Sequence, residues 1–182
     1  LPRVRSAIAT IGITIVELGT DWRGPAALLR RLFCVFEGSS TIDAKGVLLV
    51  AGPALKEQAE VEKLLRAATS KDKCALVMDS RNDCRCRWED EAKKIRGFIE
   101  ESVGYQKTDK QVLSAIASGC LERVLPTMEA EGRGHEAATM VHGLAQMLLG
   151  AEVCVCVCVS GRARVFACLS RGCSHLKCLA RP

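Results

Sequence analysis

Aromatic side chains are scarce in this chain: two Trp, one Tyr and four Phe among 182 residues, or 4%. A core must therefore come mainly from Leu, Val, Ile and Ala, which a 48% hydrophobic content supplies. Proline (5) and glycine (15) are too few for a collagen-like repeat or a Pro/Gly-rich disordered chain. No apolar run reaches the roughly 18 residues of a membrane span, so no span is expected. There is also no Gly-rich phosphate loop, nucleophile elbow or kinase signature, which removes the commonest nucleotide and acyl-transfer chemistries.

A strong charge field is absent too. The net charge of +5 comes from 26 basic and 21 acidic residues, but residues 151–182 carry five basic residues and one acid. Residues 1–150 are thus nearly neutral, with 21 basic and 20 acidic side chains, and nucleic acid is not an expected partner.

Cysteine is the residue present in excess. Six of the 11 (Cys154, Cys156, Cys158, Cys168, Cys173 and Cys178) fall in the last 29 residues, and the other five (Cys34, Cys74, Cys84, Cys86 and Cys120) are scattered. An odd total without a signal peptide reads as a reducing, cytoplasmic compartment and not as a disulfide scaffold. The chain begins at Leu1, and it reads as a piece of a longer protein.

Three short apolar runs alternate with helical patterns in the first part. Residues 12–18, rich in β-branched side chains, predict a strand that runs into a turn at Asp21, Trp22, Arg23, Gly24 and Pro25. Leu28, Leu29, Leu32, Phe33 and Phe36 then predict a helix that starts at Pro25 and ends at Gly38. Residues 47–50 predict a second strand, followed by a helix with Val61, Leu64, Leu65 and Ala68 inward. Residues 75–78 predict a third strand, and Trp88, Ala92, Ile95 and Ile99 the helix after it. This alternation predicts an α/β fold, a partial parallel sheet of about three strands flanked by helices, because parallel strands require crossover connections.

Beyond Gly104 only helical stripes follow: Val112, Leu113 and Ile116, then Leu121, Val124, Leu125 and Met128, then Ala137, Val141, Leu144 and Leu148, with residues 129–134 as the expected linker. From Val153 the alternation of Val and Cys is what a GT dinucleotide repeat encodes, so residues 151–182 read as a read-through or atypical splice end. That tail is expected to be a disordered, Cys-rich segment, prone to aggregation and oxidation. Three parts are expected: 1–117 as the α/β part, 118–150 as a helical segment, and 151–182 as the tail.

Ile11-Gly12-Ile13-Thr14-Ile15-Val16-Glu17-Leu18, then Leu29-Arg30-Arg31-Leu32-Phe33-Cys34-Val35-Phe36-Glu37, Trp88-Glu89-Asp90 with Ile95, and Val103-Gly104-Tyr105 with Val112 resemble the C-terminal half of a Toll/interleukin receptor (TIR)-like domain of a divergent protist type. The family reads Arg-x-Trp-Cys-x-x-Glu where Phe33, Cys34 and Glu37 stand here, so the aromatic bulk is kept and the indole donor lost. The resemblance covers about 110 residues and implies a flavodoxin-like half sheet whose first two strands and helices are missing; one wall of the ligand crevice would come from that half. Residues 136–150, with Leu144-Ala145 and Gly150, are similar to the first helix of a tetratricopeptide repeat of the kinesin light chain type. Such repeats bury their apolar faces only against neighbouring repeats.

Glu37 is the candidate catalytic residue. Leu29, Phe33 and Glu37, four apart, are expected on one helix face near a helix C-terminus, where burial and the dipole both raise a carboxyl pKa. In TIR domains that hydrolyse NAD the glutamate of this motif is the catalytic acid, and the resemblance gives Glu37 that candidacy. The plainer reading has Glu37 capping structure or pairing with Arg3, Arg30 or Arg31. Cys34 reads as a small core residue, with no His nearby in sequence to activate it. Cys84-Arg85-Cys86 with Asp79 and Asp83 has a spacer too short for two tetrahedral zinc ligands, although Arg81, Arg85 and Arg87 could lower the two thiol pKa values. Cys168, Cys173, Cys178 and His175 match no zinc pattern, and His135 and His142 lack partners at ligand spacing; no metal is expected. Arg30-Arg31 and Lys93-Lys94 read as solvated helix faces.

The expected function is a non-enzymatic protein–protein interaction module, a scaffold or signalling adaptor whose partners are other proteins, with self-association possible and no cofactor. The rival is NAD glycohydrolase chemistry at Glu37, with NAD as its ligand. A third expectation is an inactive fragment.

Overall fold

The computed structural model describes residues 1–21, 27–69 and 78–149, with the backbone of two short strands beyond them. Within 67–69 and 147–149 only the backbone is described past Ala67 and Gln146. The elements are α1 (Pro2–Ile11), β1 (Ile13–Glu17), α2 (Leu32–Asp43), β2 (Val47–Ala51), α3 (Gln58–Thr69), α4 (Glu89–Ser102), α5 (Tyr105–Ala130), α6 (Gly134–Leu149), β3 (Cys154–Val157) and β4 (Val165–Cys168). Short 3-10 turns, Leu28–Arg30 and Pro53–Lys56, precede α2 and α3.

β1 and β2 pair in parallel, with Ile13 opposite Val47 and Ile15 opposite Leu49, and α2 makes the crossover between them. The chain is thus mostly helical around a small two-stranded parallel sheet. Of the third expected strand, 75–77 lie outside the described residues, and Met78 is buried without strand pairing. In the tail, β3 and β4 form an antiparallel pair, and the remainder of 150–182 lies outside the described residues. So do residues 22–26, which hold most of the predicted turn after β1.

The inner sheet face is tied to the helices. Thr14 and Thr41 share a hydrogen bond between their hydroxyls at 2.6 Å, joining β1 to α2. Val50 meets α5 at Gly119, where a Cβ would lie 2.7 Å from Val50 Cγ2, so glycine is what permits the helix to approach the strand. Phe36, fully buried, meets Phe98 of α4 edge to face at 5.5 Å. Leu64 and Leu65 of α3, Ile95 and Ile99 of α4, Ile116 and Met128 of α5 and Leu144 of α6 belong to the same hydrophobic core. The helical half therefore packs on the α/β half, and α5 runs unbroken across the boundary expected at 117/118. Pro126 sits inside α5, where its missing N–H leaves one backbone carbonyl without its helical donor, and buried Val124 and Met128 hold the helix on either side.

Three sequence expectations change. The helix expected to stop at Gly38 continues to Asp43, because the missing side chain makes room for Val112: a Cβ there would be 3.3 Å from Val112 Cγ1. Its start also moves, since Arg31 is extended and divides the Leu28–Arg30 turn from α2. Trp88, read as part of the buried stripe of α4, is the N-cap residue of that helix and is 61% exposed, while Ala92, Ile95 and Ile99 are buried.

Candidate functional site

Glu37 lies in the middle of α2, and no helix C-terminus is near it. Leu29 belongs to the preceding 3-10 turn and does not share the helix face of Phe33 and Glu37. Burial, and not the helix dipole, pushes the Glu37 carboxyl above its ordinary range, with the Arg31 charge opposing. Among the described residues the carboxylate has no hydrogen-bond or ion-pair partner: Arg30 is taken by Asp83 at 2.9 Å, and Arg3 makes no pair with Glu37. One turn back, burial likewise raises the Cys34 thiol, against the pull of Arg31 and with a push from Glu37. Cys34 and Glu37 of α2 are thus a half-buried thiol and acid under the charge of one cation, Arg31 at the N-cap of the helix. A carboxyl held toward its neutral form suits proton donation; a raised thiol is a poor nucleophile.

In the loop 78–87 the arginines around Cys84 and Cys86 lead to an expectation of lowered thiol pKa values, and burial decides otherwise for Cys84. Its thiol donates to the Leu29 carbonyl (3.3 Å), and burial pushes it up to about 12 against the opposing charge of Arg30. Cys86 is half-buried beside the Glu91 carboxylate at 3.4 Å. Asp79 builds the loop by accepting from the Arg81 and Asn82 backbone amides and the Asn82 side chain. Asp109 on α5 anchors the loop by accepting from the Ser80 amide at 3.1 Å, and burial pushes its carboxyl up to about 6. Nothing in the sequence flags Asp109, because its partner stands 29 residues earlier.

The same loop runs beside the entrance to α2. Arg85 donates its amide to the Arg30 carbonyl (2.8 Å) and accepts from the Leu32 amide (2.9 Å), so Arg31 and Arg85 are partners in an isolated parallel bridge.

The other candidate surface is the outer face of the sheet. Ile13 is 50% exposed, Ile15 66%, Val47 52% and Leu49 47%, with Ile11 at 68% beside them. Parallel sheets are normally covered on both faces, so an open row of Ile, Val and Leu is a departure from the architecture's rule. Alternation in 12–18 and 47–50 was masked in sequence by apolar residues on both faces, and for that reason no exposed face could be assigned.

Among the described residues no group of three or more His, Cys, Asp or Glu side chains could hold a metal, and no helix is long and apolar enough to cross a membrane. Thr139 donates its hydroxyl to the His135 backbone carbonyl within α6. Cys74, Cys158, Cys173, Cys178 and His175 lie outside the described residues. No family model matches this chain, no curated protein matches its sequence, and no solved structure matches its fold.

Proposed function

We propose that this chain is a non-enzymatic protein–protein interaction module that works through the open apolar face of β1 and β2. The observation that carries the reading is the exposure of Ile13, Ile15, Val47 and Leu49 on one face of a parallel sheet, with Ile11 exposed at the end of α1 just before it. Glu17 ends the row on β1, and the apolar part of the face can meet its own copy about a twofold axis with no second surface required. A two-stranded sheet is also marginal alone, and a covering partner supplies the missing layer. The reading fits a TIR-like half domain, with α6 as the first helix of a tetratricopeptide repeat, acting as scaffold or adaptor. The experiment is photo-crosslinking of the purified chain with benzoylphenylalanine in place of Ile15: a covalent dimer supports the reading, and equal yield from the same residue at exposed Lys93 contradicts it.

One observation favours a second reading, NAD glycohydrolase activity. The Glu37 carboxyl is half-buried, raised by that burial and unpartnered among the described residues, which favours its protonated form relative to an ordinary glutamate. Release of nicotinamide from NAD by the purified chain, abolished in Glu37→Ala, would establish it; no release from the wild-type chain removes it.

A further inference from the structure

The parallel bridge at the start of α2 sets two like charges side by side. Arg31 and Arg85 are register partners, and residues paired in a parallel bridge project to the same side. From Cys84 to Arg87 the chain alternates buried, exposed, half-buried, exposed, so Arg87 joins Arg85 on the outward side. Like charges placed directly opposite one another cost stability, and the sequence could have avoided the cost with any neutral residue.

Nearby acids do not relieve the cluster. Asp83 is bound by Arg30 at 2.9 Å and Glu89 faces Arg96 at 3.8 Å. Among the described residues Arg31, Arg85 and Arg87 form no ion pair; the charge of Arg31 reaches Glu37 along α2, but no hydrogen bond joins them. Beside them stands Trp88, 61% exposed, with the Arg87 guanidinium 5.2 Å from its ring. Arginine and tryptophan are the residues that dominate binding hot spots, and a guanidinium held on an aromatic face keeps its edge free to fork onto a carboxylate.

We propose that Arg31, Arg85, Arg87 and Trp88 form a docking surface for an acidic peptide segment of a partner protein. The proposal rests on the reading of the chain as an interaction module and names the chemistry of a second partner. Asp83, Glu89, Asp90 and Glu91 flank these arginines in sequence, and separate carboxylate side chains can still reach single guanidiniums. A continuous phosphate backbone would have to lie across those same acids, which favours peptide over nucleic acid.

The test is fluorescence anisotropy of the full chain against fluorescein-labelled hexaglutamate at low ionic strength, with a labelled twelve-residue oligothymidylate as competitor class. Saturable binding of hexaglutamate is expected, weakened at least tenfold by Arg85→Glu with Arg87→Glu and several-fold by Arg87→Lys, which keeps the charge and loses the fork. Lys93→Glu with Lys94→Glu, and separately Ile15→Ser with Leu49→Ser, are expected to leave it within twofold. The urea midpoint of each variant is compared with that of the wild-type chain, and Arg87→Lys serves where the double reversal unfolds. No saturable binding, binding indifferent to the arginine changes, or tighter binding of the oligothymidylate overturns the proposal. Loss of peptide binding in the Ile15/Leu49 variant overturns the assignment to this patch. Peptide binding retained in a chain that never self-associates leaves this proposal standing and removes the apolar-face reading alone.

Discussion

Arg133, in the short turn between α5 and α6, grips Glu62 of α3 through two guanidinium nitrogens, at 2.8 and 2.7 Å. Arg133 also reaches Glu131 and Glu136, and Arg66 reaches Glu62 and Glu136, so one network fastens the helical hairpin to α3. The hydrogen bonds from Arg133 hold the Glu62 carboxyl down to about 2.

Glu62→Gln should therefore lower the stability of the chain by about 1 kcal/mol at pH 7, the scale of a partly buried pair still screened by solvent. The sign with pH follows from the depressed carboxyl. The contribution is fully present above the ordinary glutamate range near pH 4.5 and is lost as pH falls toward 2. Urea unfolding at pH 7 and pH 3 checks this: the difference between wild type and variant should shrink at the lower pH, and a constant difference contradicts it.

Asp109 carries the opposite sign. Its carboxyl is raised to about 6 by burial, so the folded chain binds more protons than the unfolded one between about pH 4 and 6, and stability falls as pH rises through that window. Asp109→Asn keeps an acceptor for the Ser80 amide and removes the buried charge. It should stabilise the chain by about 1 kcal/mol at pH 8 and leave it unchanged at pH 4. A loss of stability at pH 8 would show that the charged form is needed by the loop.

Cysteine reactivity separates the buried thiols from the rest. Burial pushes Cys84 and Cys120 each up to about 12, so iodoacetamide at pH 8 should leave both unmodified in the folded chain and label them in urea. Peptide mass mapping reads the result, and labelling of Cys84 without denaturant contradicts the placement of its sulfur against the Leu29 carbonyl.

Much of the architecture was legible from local pattern. The β-branched runs gave β1 and β2, and the stripes of α3, α4 and α6 identified Val61, Leu64, Ile95, Ile99, Ala137 and Leu144, all buried. What escaped depends on contacts distant in sequence. Gly38 reads as a helix stop until Val112, from α5, is seen against it. Glu62 and Arg133 stand 71 residues apart, and a turn composed of Glu, Gly and Arg reads only as a linker. α1 carries no strong apolar stripe; a single residue, Ile8, is buried there. The placement of Glu37 failed with the helix end, since five more residues of helix beyond Gly38 remove the dipole from the argument. The outer sheet face escaped because Ile13, Ile15, Val47 and Leu49 are as apolar as the residues that cover the core.

Sedimentation equilibrium of the full chain over a hundredfold concentration range, with and without Ile15→Ser and Leu49→Ser, tests the central claim most directly. The apolar face predicts reversible dimers in the wild-type chain and a monomer at every concentration in the variant, with the two chains unfolding at similar urea concentrations. A wild-type monomer throughout, or dimers of equal strength in both chains, would contradict it.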